Sequence, residues 1–135
     1  MRAALVPRLR RKRTDMQPSG RLLQFTDAVI AARRWQQRRL GAMGSQLTFD
    51  LLAVVVRHSL AGKPATLKEL TASLPYSEAG IRKNLRQCVK AGWVLVGTIP
   101  HDGRVRVIQA RPKLLDAWAE YEALFTTALQ ARRRE

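Results

Sequence analysis

Residues 66–109 read TLKELTASLPYSEAGIRKNLRQCVKAGWVLVGTIPHDGRVRVIQ, and the hydrophobic period changes once along them. Thr66 is followed three residues later by Glu69, the signature of a capping box, in which each side chain accepts from the other's backbone N–H. The short helix so opened carries Leu67, Leu70 and Leu74 on one side, and Pro75 with Tyr76 breaks it. Ser77 is the next cap, with Glu78 well placed against the dipole of the first turn. This second helix runs to Ala91, with Ile81, Leu85, Cys88 and Val89 inward, and Gly92 stops it. From Trp93 the period becomes two. Trp93-Val94-Leu95-Val96 reads as a strand reaching towards Ile99, and His101-Asp102-Gly103 as a turn. Arg104-Val105-Arg106-Val107 reads as the returning strand, one face buried and the other cationic.

Two short helices joined by a tight turn can lay the second helix in a DNA major groove. With Ile81, Leu85 and Cys88/Val89 inward, the opposite side of that helix carries Arg82, Lys83, Arg86 and Gln87, donors suited to guanine edges and phosphates. The hairpin that follows brings Arg104 to its tip and Arg106 to its cationic face, where arginine suits a narrow minor groove. Acidic residues avoid this surface apart from Glu78 and Asp102, and gather further on as Asp116, Glu120 and Glu122. The order helix, turn, helix, strand, basic turn, strand predicts a DNA-binding winged helix.

Outward from this block, the flanks read as helices. Ser19 can cap one running to about Arg39, ended by Gly41 and Gly44, with a stripe of Leu22, Phe25, Val29 and Ala32 widened by Leu23 and Ile30. Such a stripe is a core face or a seam for a partner helix. A second helix begins near Thr48, with Ser45 as the rival cap. Leu47, Leu51, Val54 and Val55 face inward, and Gly62 with Pro64 ends it. Pro112 suits the first turn of a last helix, along which Leu114, Trp118, Tyr121, Phe125 and Ala128 recur. Before Ser19, Arg8, Arg10, Arg11, Lys12 and Arg13 repel one another, so residues 1–18 are expected to be a disordered basic arm, either merely solvated or laid on phosphates.

Lys and Arg number 25 against 10 acidic residues among 135, a formal charge of +15. Such an excess opposes compaction and favours a polyanionic partner. Cys88 stands alone, which excludes an internal disulfide, and its place on the apolar side of a helix suits a small core residue better than a redox sensor. His58 and His101 have no carboxylate or cysteine at ligand spacing, so no metal is expected. Trp35, Trp93 and Trp118 read as packing residues. No nucleophile–base pairing, paired carboxylates or glycine-rich phosphate loop is present, so neither an enzyme nor a cofactor is expected. No apolar run approaches a membrane span or a signal-peptide core, and a cytoplasmic location is expected.

Leu47-Thr48 opening a helix, Glu69-Leu70 in the next, Ile81-Arg82-Lys83-Asn84-Leu85 leading to Ala91-Gly92-Trp93-Val94, and Asp102-Gly103-Arg104 together resemble the MarR-type winged-helix regulators. The resemblance covers about Leu47 to Gln109 and is one of pattern. It implies a homodimer with intertwined terminal helices, bound to palindromic DNA. It implies that Arg104 is a minor-groove arginine and that Asp102 orients it. It also implies that Ser77, Arg82, Lys83 and Arg86 meet the major groove or its phosphates. Ala110-Arg111-Pro112-Lys113-Leu114 stands where such chains carry Leu-Thr-x-x-Gly, and there is room for one terminal helix where they have two.

The expected fold is thus α+β and mostly helical, a winged helix–turn–helix with terminal dimerisation helices. Residues 19–44 form the first helix, 45–111 the helix–turn–helix and wing, and 112–135 the last helix. The expected function is sequence-specific binding of double-stranded DNA by a dimeric transcriptional regulator, a repressor. The rival readings are a winged-helix protein adaptor using the acidic last helix, and a basic RNA-binding protein.

Overall fold

A computed structural model describes residues 17–41 and 45–134, with the side chains of residues 20–41 and 45–127. The expected basic arm lies outside the described residues except for its last two positions. Gly44 and the side chains of Ser19, Ala128 and Arg132 to Arg134 also lie outside them. In chain order the elements are α1 (Gln17–Leu40), α2 (Gln46–Leu60), β1 (Ala65–Thr66), α3 (Leu67–Ser73), α4 (Glu78–Lys90), β2 (Val94–Ile99), β3 (Asp102–Ala110) and α5 (Pro112–Arg134). The described residues form two compact units, a central one within residues 35–120 and a terminal one of residues 17–34 and 121–134. Helix α1 begins at Gln17, ahead of the expected cap Ser19. Pro18 then falls in the first turn, where its missing N–H leaves no bond unmade.

The central unit is a mostly helical winged helix–turn–helix. Its core gathers Leu51, Leu52, Val55 and Val56 of α2, Leu70 of α3, Ile81 and Cys88 of α4, Val94 of β2, Ile108 of β3 and Leu114 of α5, none more than 2% exposed. Burial of Leu52 and Val56 beside Leu51 and Val55 means that α2 is covered over most of its circumference. The single inward stripe expected from periodicity therefore undercounts it, and Val54 is only half-buried. The sheet is antiparallel, in the order β1-β3-β2. Strand β1 was not expected, because two residues cannot display an alternation. Its Thr66 both ends the strand and caps α3.

The helix ends follow from side chains that the sequence names. Glu69 N–H donates to Thr66 Oγ1 at 3.0 Å and Thr66 N–H to Glu69 Oε1 at 2.8 Å, completing the capping box. That backbone bond from Thr66 is the main reason the Glu69 carboxyl is held below its usual range. Helix α2 is capped by Ser45, in extended backbone, and not by Thr48, which lies inside the first turn and donates its N–H to Ser45 Oγ at 3.2 Å. Helix α4 ends in paired bonds from Gly92 N–H to Val89 O and from Trp93 N–H to Cys88 O, both 3.0 Å. Gly92 has φ +84° there, the left-handed turn that favours glycine.

In the terminal unit Phe125 meets Phe25 at 6.4 Å between ring centroids and Tyr121 edge-on at 5.5 Å. Ala28 and Ala32 of α1 are buried, but Leu22, Leu23, Phe25, Val29 and Ile30 are 44–63% exposed. Most of the α1 stripe is thus left uncovered by the described residues.

Cys88 is fully buried, and burial pushes its thiol up to about 12. The thiolate is the reactive form. Native protein at pH 8 is expected to resist iodoacetamide, and protein in denaturant to react fully, as read by intact mass. Burial of the neutral thiol stabilises the fold below the unfolded thiol's pKa, and that contribution is lost as pH rises from about 9 towards 12.

Candidate nucleic-acid interface

Helix α4 advances about 100° per residue, so its sequence sorts onto two sides. Ile81, Leu85 and Cys88 turn into the core, and Arg82, Lys83, Arg86, Gln87 and Lys90 are all exposed along the opposite arc. Val89, expected inward, is 40% exposed. It stands one position past Cys88, rotated out of the core stripe towards the wing. Ser77 is exposed, but its Oγ is engaged in capping α4, accepting the Gly80 N–H at 3.1 Å.

The wing turns earlier than expected: of the expected His101-Asp102-Gly103, only His101 lies in the turn. Ile99 pairs with Asp102 across Pro100-His101, and Gly103 does not adopt the positive φ that an Asp-Gly hairpin turn would require. Proline, with φ preset, supplies the bend in its place. The partner of β2 jumps from Arg106 at Thr98 to Asp102 at Ile99, so Gly103, Arg104 and Val105 swell out of the ladder. Asp102 Oδ1 accepts the Arg104 N–H at 3.0 Å and pairs with Arg104 Nε at 3.4 Å. The Arg104 side chain is 93% exposed.

Strand alternation puts Arg106 on the face of fully buried Ile108, not opposite it. The expected division, valines in and arginines out, is therefore corrected: Val105 and Val107 are only half-buried, and Arg106 reaches across the mouth of the core towards α4. Two adjoining clefts follow. One, of about 620 Å³, joins Lys68 and Thr71 of α3, Glu78 and Arg82 of α4, and Arg104 and Arg106 of β3. The other, of about 260 Å³, has a floor of Leu67, Leu85, Val89, Val96 and Ile108 and a rim of Arg82, Arg86 and Arg106. Of the residues singled out from the sequence, Arg82, Arg86, Arg104 and Arg106 are thus brought together. Lys83 and Gln87 stay on the outward arc, and Ser77 on the helix end. Lys68 was missed; on a seven-residue helix its direction is set by packing and not by a readable stripe.

The charge here is only partly opposed. Glu78 Oε1 meets Arg82 at 3.2 Å, an exposed pair on consecutive helical turns, and Asp102 meets Arg104, while Lys68, Arg86 and Arg106 make no ion pair within 4.0 Å among the described residues. Glu120, one of the acidic residues expected to form a separate stripe, is occupied internally. It accepts the Trp35 indole N–H at 3.0 Å and lies 3.5 Å from Arg39. Among the described residues no group of His, Cys, Asp or Glu has the makings of a metal site, and no helix is long and apolar enough to cross a membrane.

Polar contacts hold α4 at its middle and its end. At its middle, Thr48 Oγ1 of α2 donates to Asn84 Oδ1 at 2.7 Å, and Asn84 Nδ2 donates back to Gly80 O at 2.9 Å. Close by, Tyr76 of the helix–helix turn donates its hydroxyl to Asp50 Oδ2 at 2.8 Å, and this bond is the main cause that raises the phenol pKa. Near its end, Lys113 Nζ donates to Ala91 O at 2.8 Å while standing 4.4 Å over the Trp93 ring. None of these contacts was foreseen, since all but the Asn84–Gly80 bond join residues far apart in the chain.

Arg104 and Ile108 share β3, which allows a clean contrast. Arg104→Ala is expected to change stability by less than about 0.5 kcal/mol. Ile108→Ala, emptying a fully buried site, is expected to cost about 2–5 kcal/mol. Urea denaturation of the two variants measures both.

No protein-family model matches the chain, and no curated protein matches it in sequence. Solved structures do match in shape. The DNA complex of S. aureus MepR superposes with a TM-score of 0.63 at 12% identity, over 79% of this chain and 78% of that one. The transcriptional regulator Tm0710 of Thermotoga maritima gives 0.59 at 15% identity, over 86% and 78%. A MarR-like transcription regulator from Bacillus cereus gives 0.53 at 11% identity, over 79% and 75%. With its capped helix pair, antiparallel wing and two long flanking helices, the chain has the winged-helix fold of the MarR-type regulators.

Proposed function

We propose that this protein is a bacterial cytoplasmic regulator of transcription, a dimeric repressor that binds double-stranded DNA by sequence. In this reading Arg82, Lys83, Arg86 and Gln87 of α4 enter the major groove. Arg104 and Arg106 of the wing lie at the adjacent minor groove, with Lys68 on the intervening phosphates. The observation that carries the reading is the convergence of arginines from α4 and β3 on one surface, with Glu78 and Asp102 the acidic residues near it. Arg104 is almost fully exposed, which suits a ligand contact better than a packing duty. The similarity in fold to MepR, solved in complex with DNA, supports the same assignment.

Duplex titration over a range of salt tests it. If about six Lys and Arg side chains of the dimer meet phosphate, log K falls against log salt with a slope of roughly −5. Arg104→Ala is expected to weaken binding several-fold, more for sites with A·T-rich flanks, where a narrow groove attracts arginine. Lys90→Ala, near the end of α4, is expected to do less. Affinity indifferent to salt would sink the reading.

The dimer rests on the exposed α1 residues Leu22, Leu23, Phe25, Val29 and Ile30, an apolar face of the kind that a second copy covers. A two-fold pair of recognition helices also suits two half-sites. Sedimentation at micromolar concentration is expected to give twice the 15.3 kDa chain mass, and Phe25→Glu to give the monomer.

A further inference from the structure

We propose that Thr48 is a positioning residue for α4: through Asn84 its buried hydroxyl sets the seat of the recognition helix, and with it discrimination between bases. The inference rests on the DNA-binding reading above. Thr48 is fully buried, one of few polar side chains in the core. Its single hydroxyl proton goes to Asn84 Oδ1 at 2.7 Å. The 2.9 Å contact between Ser45 Oγ and Thr48 Oγ1 must then run from the serine proton to the threonine oxygen. The result is a directed relay from Ser45 to Thr48 to Asn84, continued by Asn84 Nδ2 to the Gly80 carbonyl at 2.9 Å.

One turn before Asn84, α4 comes so close to α2 that a Cβ added at Gly80 would lie 3.4 Å from Leu47 Cδ1 and 3.1 Å from Ser77 Oγ. The first half of α4 is therefore held by a close approach at Gly80 and a hydrogen bond at Asn84. The two restrain different motions. Close packing sets how far α4 stands from α2. The bond is directional, so it sets how α4 is rotated and how far it has slid. The Ile81, Leu85 and Cys88 contacts, being non-directional, restrain rotation and sliding less. Base edges are read by hydrogen bonds that need such accuracy, whereas phosphate contacts through long Arg and Lys side chains tolerate a small tilt. Loss of the Thr48 hydroxyl is therefore expected to spare duplex affinity and to erode sequence preference.

The test uses the full chain to select a preferred duplex from a random-sequence pool. Kd is then measured for that duplex and for a random duplex of equal length. The chains compared are wild type, Thr48→Val, Thr48→Ser and the double variant Thr48→Val/Asn84→Leu, in which neither half of the lost bond stays buried without a partner. The valine variant is expected to lose about tenfold in the ratio of the two Kd values, the size of one misplaced base contact. Its affinity for the random duplex should stay within about twofold of wild type. Thr48→Ser, which keeps the hydroxyl, is expected to restore the ratio, and the double variant to behave as the valine variant does. The proposal is overturned if Thr48→Val discriminates as well as wild type, or if the double variant does so where Thr48→Val does not fold. It is also overturned if both duplexes weaken equally. A wild-type chain that binds no duplex overturns the DNA-binding reading and this inference with it. A wild-type chain that selects a sequence and is unmoved by Thr48→Val overturns this inference alone.

Discussion

The burial of one side of α4 against α2 decides what the other side can be. Ile81, Leu85 and Cys88 belong to the same core as Leu51, Leu52, Val55 and Val56, so rotating α4 would expose them. Each large aliphatic side chain so exposed would cost about 1.5–3 kcal/mol. With that side committed, Arg82, Lys83, Arg86 and Gln87 have nowhere to point but solvent. Cys88 fits as the small member of the stripe, and its suppressed ionisation is a by-product of the packing.

The wing adds charge to a place where charge is already concentrated. Arg106 shares a strand face with Ile108, so the cation sits at the lip of an apolar floor instead of on the far side of the sheet. Arginine tolerates this arrangement because its stem can lie on apolar atoms while the guanidinium stays hydrated. The repulsion among Arg82, Arg86 and Arg106 is softened by Glu78 and by screening, with a range of about 8 Å at physiological ionic strength. A regular line of phosphates would relieve it further, which links the fold's electrostatic strain to its proposed partner.

Much of this could be read from the sequence, for identifiable reasons. Caps are local: Thr66 with Glu69, Ser77, and Gly92 each announce a helix end within four residues. The exposed arc of α4 is equally local, because helical period alone assigns it. The failures arise where distant parts of the chain decide. Strand β1 exists only because β3 offers it a partner at Val107 and Ile108. The wing's turn falls at Pro100-His101 and not across His101-Asp102-Gly103, and the bulge beside it is part of how β2 and β3 pair. Alternation separated the valines of β3 from its arginines correctly but gave no sign of which set faced α4. The Thr48–Asn84 bond spans 36 residues, beyond the reach of any spacing rule.

Gly92 joins α4 to the wing through a left-handed turn, and such a joint would ordinarily be free to swing. Lys113 bridges it: the ammonium grips the carbonyl of Ala91 on one side and covers the ring of Trp93 on the other. Arg111 N–H adds a bond to the Trp93 carbonyl at 3.0 Å. Helix and wing therefore leave the core as the two tines of a stiff fork. In the DNA-binding reading proposed above, a fork of fixed gauge would fit grooves of one spacing, and a duplex of other spacing would have to do the bending itself.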